Sequence, residues 1–126
     1  MLWNSLRGAC LFAAGLAIAC GGVSSAFAQN SRTFSGIASY YDKNYSGKTA
    51  RGDHYDGKKF TAAHRTLPFG TRLVVTDPKS RRSVTVIVND RGPFVKGRVL
   101  DLSYAAAEAL HMHNRGVMHV TASIDQ

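Results

Sequence analysis

From Phe34 onward the chain is cut into short β-prone segments by glycine, proline, aspartate and asparagine, and that rhythm points to a small, mainly β domain. Residues 34–41 (FSGIASYY) are rich in aromatic and small side chains and read as a strand. Residues 71–76 (TRLVVT) and 83–88 (SVTVIV) are rich in β-branched residues, the second alternating, and the 77–80 segment (DPKS) joins them as a hairpin. Residues 98–102 (RVLDL) add a further short strand, and residues 117–123 (VMHVTAS) alternate as a closing one. A single helix is expected over residues 104–112, an alanine-rich run with Ser103 as its N-cap. Five or six short strands and one helix in under 100 residues suggest a small closed barrel.

The N-terminal segment is of a different kind. Arg7 is the only charged residue before Arg32, which leaves 24 uncharged residues over 8–31. Residues 10–20 (CLFAAGLAIAC) form an apolar core, and Ala26-Phe27-Ala28 precedes Gln29. A positive flank, a short apolar core and an A-x-A site are the features of a secretory signal peptide, so export and cleavage after Ala28 are expected. An uncleaved anchor is the alternative, since the run is long enough to span a bilayer. Cys20 offers another, a lipid-modified cysteine tethering the product to a membrane. The downstream A-x-A site favours a soluble product, with residues 29–33 as a short flexible tip and 34–126 as the domain. Both cysteines, Cys10 and Cys20, fall within the leader, so the mature domain has no disulfide framework or thiolate metal site.

Removing Arg7 leaves 15 basic against 8 acidic residues in the 98-residue mature chain, a formal charge of +7. A basic surface outside the cytoplasm suits an anionic envelope polymer. Nucleic acid is the usual partner of such a charge, but no helix-turn-helix or RNA-binding signature occurs, and export argues against it.

Candidate chemistry rests on few groups. Asp53 lies in a long glycine-bearing loop over residues 42–59, and loops of that length tend to be functional. Asp90 ends the strongest strand, before Arg91-Gly92-Pro93-Phe94, and Asp101 lies between Leu100 and Leu102 ahead of the helix. Rigidly held carboxylates at a strand end suit a site. The same positions also serve turn-pinning by Asp90, pairing with Arg91, or favouring the helix N-terminus by Asp101. His64 can orient a carboxylate or share its proton. His111, His113 and His119 lack metal-ligand spacing, so no metal is expected. No G-x-S-x-G elbow, cysteine nucleophile or phosphate-binding glycine loop occurs in the mature part, and no cofactor is expected.

Four blocks, GIASYY at 36–41, TAAHRTLPFGT at 61–71, VNDRGPF at 88–94 and RVLDLSYAAA at 98–107, resemble the signature blocks of RlpA-type (rare lipoprotein A) proteins, in the family's order. That resemblance implies a six-stranded double-psi β-barrel, related to the expansin catalytic-like domain, in the periplasm or cell envelope. It implies action on peptidoglycan glycan strands as an endolytic lytic transglycosylase that leaves 1,6-anhydro-MurNAc ends, with a monomer as the working unit. By the same resemblance Asp90, Asp53, His64 and Asp101 are the catalytic group, with Asp90 and Asp53 as the acid/base pair and His64 and Asp101 orienting them. Tyr41, Thr61, Arg91 and Phe94 are the residues that meet the glycan. Two positions depart from the family pattern: Asp53 stands where glutamate is usual, and Asp42 stands where glycine closes the first block. An expansin-like wall protein that binds glycan without cleaving it is the other class of function this groove can serve.

Overall fold

The computed structural model describes residues 32–125; the expected leader, with Arg7, Cys10 and Cys20, lies outside them. Six strands close into a barrel: β1 (Thr33–Tyr40), β2 (Thr61–Ala63), β3 (Arg72–Thr76), β4 (Ser83–Asp90), β5 (Arg98–Leu102) and β6 (Met118–Asp125), with one helix, α1 (Tyr104–Ala109), between the last two. Their order around the barrel is β1-β5-β2-β4-β3-β6. Two pairings, β1 with β5 and β2 with β4, are parallel, and the other four are antiparallel. The closed six-stranded architecture expected from the sequence is therefore the one observed.

Alternation does the work in β4, where Val84, Val86 and Val88 are buried while Ser83 and Thr85 face out. They meet Leu73 and Val75 of β3, Leu100 and Leu102 of β5, and Val120 and Ala122 of β6 inside the barrel. Ala106, Ala107, Leu110 and Met112 close the core from the helix side. Ser103 caps α1 as expected, its Oγ accepting from Ala106 N at 3.2 Å. The helix ends three residues before the expected 112, because Leu110 and His111 leave helical geometry, His111 with φ 58°.

Two local expectations change. Thr33 pairs with Ser123 in the β1–β6 ladder, so the flexible tip expected over 29–33 does not include it. Residues 61–63 (TAA) form β2, a three-residue strand that carries no β pattern of its own and exists because β4 and β5 pair with it on either side. β1 runs close to β5 at Gly36, where a Cβ would stand 2.6 Å from Val99 Cγ1. Any larger residue there would force the Val99 side chain to move.

Candidate active site

Asp90, Ala63, Asp101 and Ser39 lie side by side across four adjacent strands, since Ala63 is in register with both Asp90 and Asp101, and Ser39 with Asp101. The barrel thus brings residues 39, 90 and 101 to one level from distant parts of the sequence. Ser39 Oγ donates to Asp101 Oδ1. Tyr41, one residue past β1, is held by its backbone N–H to Leu102 O at 3.0 Å, and its phenol reaches Asp90 Oδ2 at 2.5 Å.

Asp90 is surrounded by donors. Its Oδ1 accepts from Ala50 N and from Arg91 N, both at 2.8 Å, while Oδ2 takes the Tyr41 hydroxyl. The turn-pinning role and the site role are therefore combined in one side chain. Burial, the hydrogen bond to Asp90 and the negative charges of Asp90 and Asp101 push the Tyr41 phenol far above its ordinary pKa. Tyr41 consequently stays a proton donor to Asp90 across the accessible pH range. Its ring stacks on Tyr55 at 4.5 Å and meets Tyr45 at 5.1 Å, an aromatic wall beside the carboxylate.

The long loop acts as a flap over this end of β4. Ala50 N binds Asp90, Arg51 N donates to Asn89 O at 3.2 Å, and Thr49 N donates to Asp53 O at 2.8 Å. At the tip, Arg51 Nη2 meets Asp53 Oδ2 at 2.8 Å, and Thr49 Oγ1 donates to Asp53 Oδ1. The Arg51 hydrogen bond first, and that of Thr49 second, hold the exposed Asp53 carboxyl well below the usual carboxylate range. Asp53 is thus placed on the same flap that touches Asp90, but its oxygens are turned to its own loop.

His64 is arranged differently. Its backbone N–H donates to Asp90 O at 3.2 Å, whereas its ring Nδ1 accepts from Thr66 N and Leu67 N, each at 3.1 Å. The imidazole packs edge-on against Phe34 at 5.2 Å, in a recess with Leu67, Val99 and Ile124. Burial, with Arg65 and Arg91 behind it, lowers its pKa. The ring touches neither Asp90 nor Asp101, so any orienting effect passes through the main chain. Arg91 likewise spends its guanidinium inward, on His64 O at 3.2 Å and Leu67 O at 2.9 Å, and lies 4.0 Å over the Phe69 ring.

Phe94 is 77% exposed on the loop after Asp90. A Cβ on Gly92 would stand 3.7 Å from the Phe94 ring and 3.8 Å from Asp101 Oδ2, which puts both on one side of that glycine. Thr61 is in register with Ile87, three residues back along β4, and its backbone is tied to Ser103. Of the eight expected site residues, Asp90, Asp101, Tyr41 and Phe94 lie around the end of β4, Asp53 belongs to the loop whose Ala50 N binds Asp90, and the side chains of His64 and Arg91 and the backbone of Thr61 are engaged elsewhere. Sequence reading missed Tyr45 and Tyr55, which the loop carries to the wall, and the donors Ala50 and Ser39.

A sequence model of the family described as lytic transglycolase matches residues 33–122. Among curated proteins, the chain is 51% identical over 92 residues to the "Probable endolytic peptidoglycan transglycosylase RlpA" of Synechocystis sp. (strain ATCC 27184 / PCC 6803 / Kazusa), covering 72% of this chain and 29% of that protein. It is 49% identical over 92 residues to the "Endolytic peptidoglycan transglycosylase RlpA" of Pasteurella multocida (strain Pm70), covering 72% of this chain and 31% of that one. The chain thus spans about a third or less of the length of these relatives. Among solved structures, Streptomyces papain inhibitor aligns with TM-score 0.63 at 25% identity, over 75% of this chain and 96% of that one. An apo expansin of Clavibacter michiganensis aligns with TM-score 0.61 at 25% identity, over 75% of this chain and 51% of that one.

Proposed function

The chain belongs to the lytic transglycolase family of RlpA-type double-psi β-barrels, and from that premise we propose that its domain cleaves peptidoglycan glycan strands as an endolytic transglycosylase. The observation that carries the reading is Asp90, fixed at a strand end by three donors, with the stacked Tyr41 and Tyr55 rings beside it and Asp101 and Phe94 meeting at Gly92. Such a surface suits sugar rings, which present apolar faces to aromatic side chains and hydroxyls to carboxylates.

The reaction breaks the bond between MurNAc C1 and the GlcNAc O4 and forms one between C1 and the MurNAc O6. The leaving O4 takes a proton, and the 6-hydroxyl gives one up, so no water is consumed. Asp90 is the group that transfers protons, through Oδ2, because its Oδ1 is occupied by two main-chain donors. Tyr41 holds Oδ2 in one rotamer, and Asp101 adds negative charge beside the developing oxocarbenium ion. Asp53 serves as the second carboxylate once a bound strand draws Arg51 away from it. The setting is the cell envelope, which the expected leader would reach by export.

Incubating the purified protein with sacculi and analysing the soluble products by mass spectrometry tests this directly. Release of 1,6-anhydro-muropeptides that the Asp90→Asn variant does not release is the expected result; products with reducing, hydrated ends would exclude it.

One observation favours a second reading. Asp53 is one methylene shorter than the family's glutamate and is engaged by Arg51, and the fold is shared with an expansin whose mutant was solved in complex with cellohexaose. A domain that binds and loosens glycan without cutting it would co-sediment with sacculi and release nothing.

A further inference from the structure

At the end of β4 opposite Asp90, the β3–β4 turn, the segment after α1 and the start of β6 line an open recess of about 400 Å³. A recess of about 170 Å³ adjoins it through the shared residues Asp77, Lys79, Arg115 and Met118. At ordinary strand rise this pole is about 23 Å along β4 from the Asp90 rim. It is therefore no part of the Asp90 site.

Its walls carry three permanent cations, Lys79, Arg82 and Arg115, with the His111 imidazole beside them, over a floor of Leu110 and Met118. The one carboxylate, Asp77, is 5% exposed and engaged by its own turn, accepting from Lys79 N at 3.0 Å and Ser80 Oγ at 2.8 Å. Those hydrogen bonds keep it below the usual carboxylate range. Three fixed positive charges against one negative leave a net of two. Among the described residues the ion pairs are Arg51–Asp53 and Arg72–Asp125, so none of the three cations forms a direct ion pair, and Asp77 acts on Arg115 only through its nearby charge.

The backbone of the same pole is unusual. Six of the eight described residues with positive φ are glycines, and the other two are Arg81 (φ 67°) and His111 (φ 58°). His111 lines the recess, and Arg81 belongs to the turn that builds its rim. Glycine adopts such angles without strain, whereas other residues hold them only where their surroundings enforce it. Main-chain hydrogen bonds enforce both: Arg81 N to Asp77 O at 2.7 Å and His111 N to Glu108 O at 3.0 Å. At both positions a basic side chain stands where glycine would be easier.

We infer that this recess binds a phosphate group, on a phosphate ester or a phospholipid headgroup, independently of the Asp90 site. Two guanidinium groups match phosphate oxygens in fork geometry, and the net charge of two matches a phosphate dianion better than a single carboxylate. The hydrogen-bonded turn fixes the backbone from which Lys79 and Arg82 extend, and Leu110 and Met118 close the recess beneath them.

Titration of inorganic phosphate into the isotope-labelled protein, followed by amide NMR, is the first test. Saturable shifts are expected at Lys79, Ser80, Arg82, His111 and Arg115, with Ala50 and Arg91 unmoved. Arg82→Glu/Arg115→Glu should weaken binding by at least about tenfold. Arg32→Glu/Arg65→Glu, an equal change in net charge elsewhere, should leave it unaltered. Should the double variant fail to fold, Lys79→Gln must weaken binding in the same direction. Shifts that never saturate, or that both double variants reduce equally, overturn the proposal. Vesicles of phosphatidylglycerol and of phosphatidylcholine then separate the sources. Sedimentation with the anionic vesicles alone, abolished by Arg82→Glu/Arg115→Glu and competed by phosphate, identifies a headgroup. Saturable phosphate binding without sedimentation identifies a soluble ester.

Discussion

The Tyr41 phenol donates to Asp90 Oδ2 at 2.5 Å while its ring stacks on Tyr55 at 4.5 Å, so one side chain both pins the carboxylate and anchors the aromatic wall. These duties are separable by substitution. Tyr41→Phe keeps the ring and removes the donor. Turnover on denuded glycan should fall by about tenfold or more, with KM and melting temperature little changed. An unchanged turnover would mean that the hydrogen bond positions nothing that matters to the reaction.

Asp90→Asn removes charge and proton transfer while keeping shape. Turnover should fall by about a hundredfold or more. The melting temperature should change little, because the amide Oδ1 still accepts from Ala50 N and Arg91 N. A large loss of stability with proportionate loss of activity would make Asp90 a turn residue and nothing more.

Asp53 carries the clearest test of the departure from the family pattern. Glutamate extends the carboxyl by roughly 1.3 Å on ordinary covalent geometry, which gives it a longer reach from the loop toward Asp90. Asp53→Glu should raise turnover and Asp53→Ala should abolish it. Arg51→Ala should let the Asp53 titration, followed by carbon NMR, climb back toward about 3.9. The sign follows from linkage: the depressed carboxyl stabilises the flap above its unfolded pKa, and that contribution disappears as pH falls through the folded one. Equal activity of native protein and Asp53→Ala would remove Asp53 from the mechanism.

His64 is predicted to work through its turn. Asparagine at this position can accept from the same backbone amides without titrating, so His64→Asn should keep activity within about threefold while His64→Ala loses about 1 kcal/mol, or roughly 4–8 °C in melting temperature. Because burial lowers the imidazole's pKa, the unfolded chain binds more protons just below its ordinary value of about 6.5. Native stability should therefore decline as pH drops from there toward the folded pKa, and His64→Asn should flatten that slope. Loss of turnover in a well-folded His64→Asn protein would return the ring itself to the chemistry.

Gly36→Ala tests the barrel closure. The new Cβ would meet Val99 Cγ1 at 2.6 Å, and overpacking of this kind costs about 1–3 kcal/mol. Val99→Ala in the same chain should recover much of the loss in denaturant unfolding, since it removes the atom that is struck.

Elements with strong local patterns were legible from the sequence. The β3–β4 hairpin followed from alternation at Val84, Val86 and Val88, and the start of α1 from Ser103. β2 was not legible, because Thr61-Ala62-Ala63 becomes a strand only through two partners distant in sequence. The candidate site shows the same division. Asp90 and Asp101 were readable from their places at strand ends, but side-chain direction was not. Nothing local in the sequence says that Arg91 turns in to His64 O and Leu67 O, or that His64 caps its own turn.

The β1–β6 seam also determines how the domain answers to force. Thr33 and Ser123 face each other at one end of an antiparallel pairing whose registered partners continue to Ala38 and Met118. A pull applied through both ends of the domain therefore starts at a single rung and opens the seam like a zipper, one hydrogen-bonded pair after another. Loading the same barrel through Ala38 and Ser123 would instead stress the whole ladder in shear. Pulling single molecules in the two geometries should give a markedly lower unfolding force for the first.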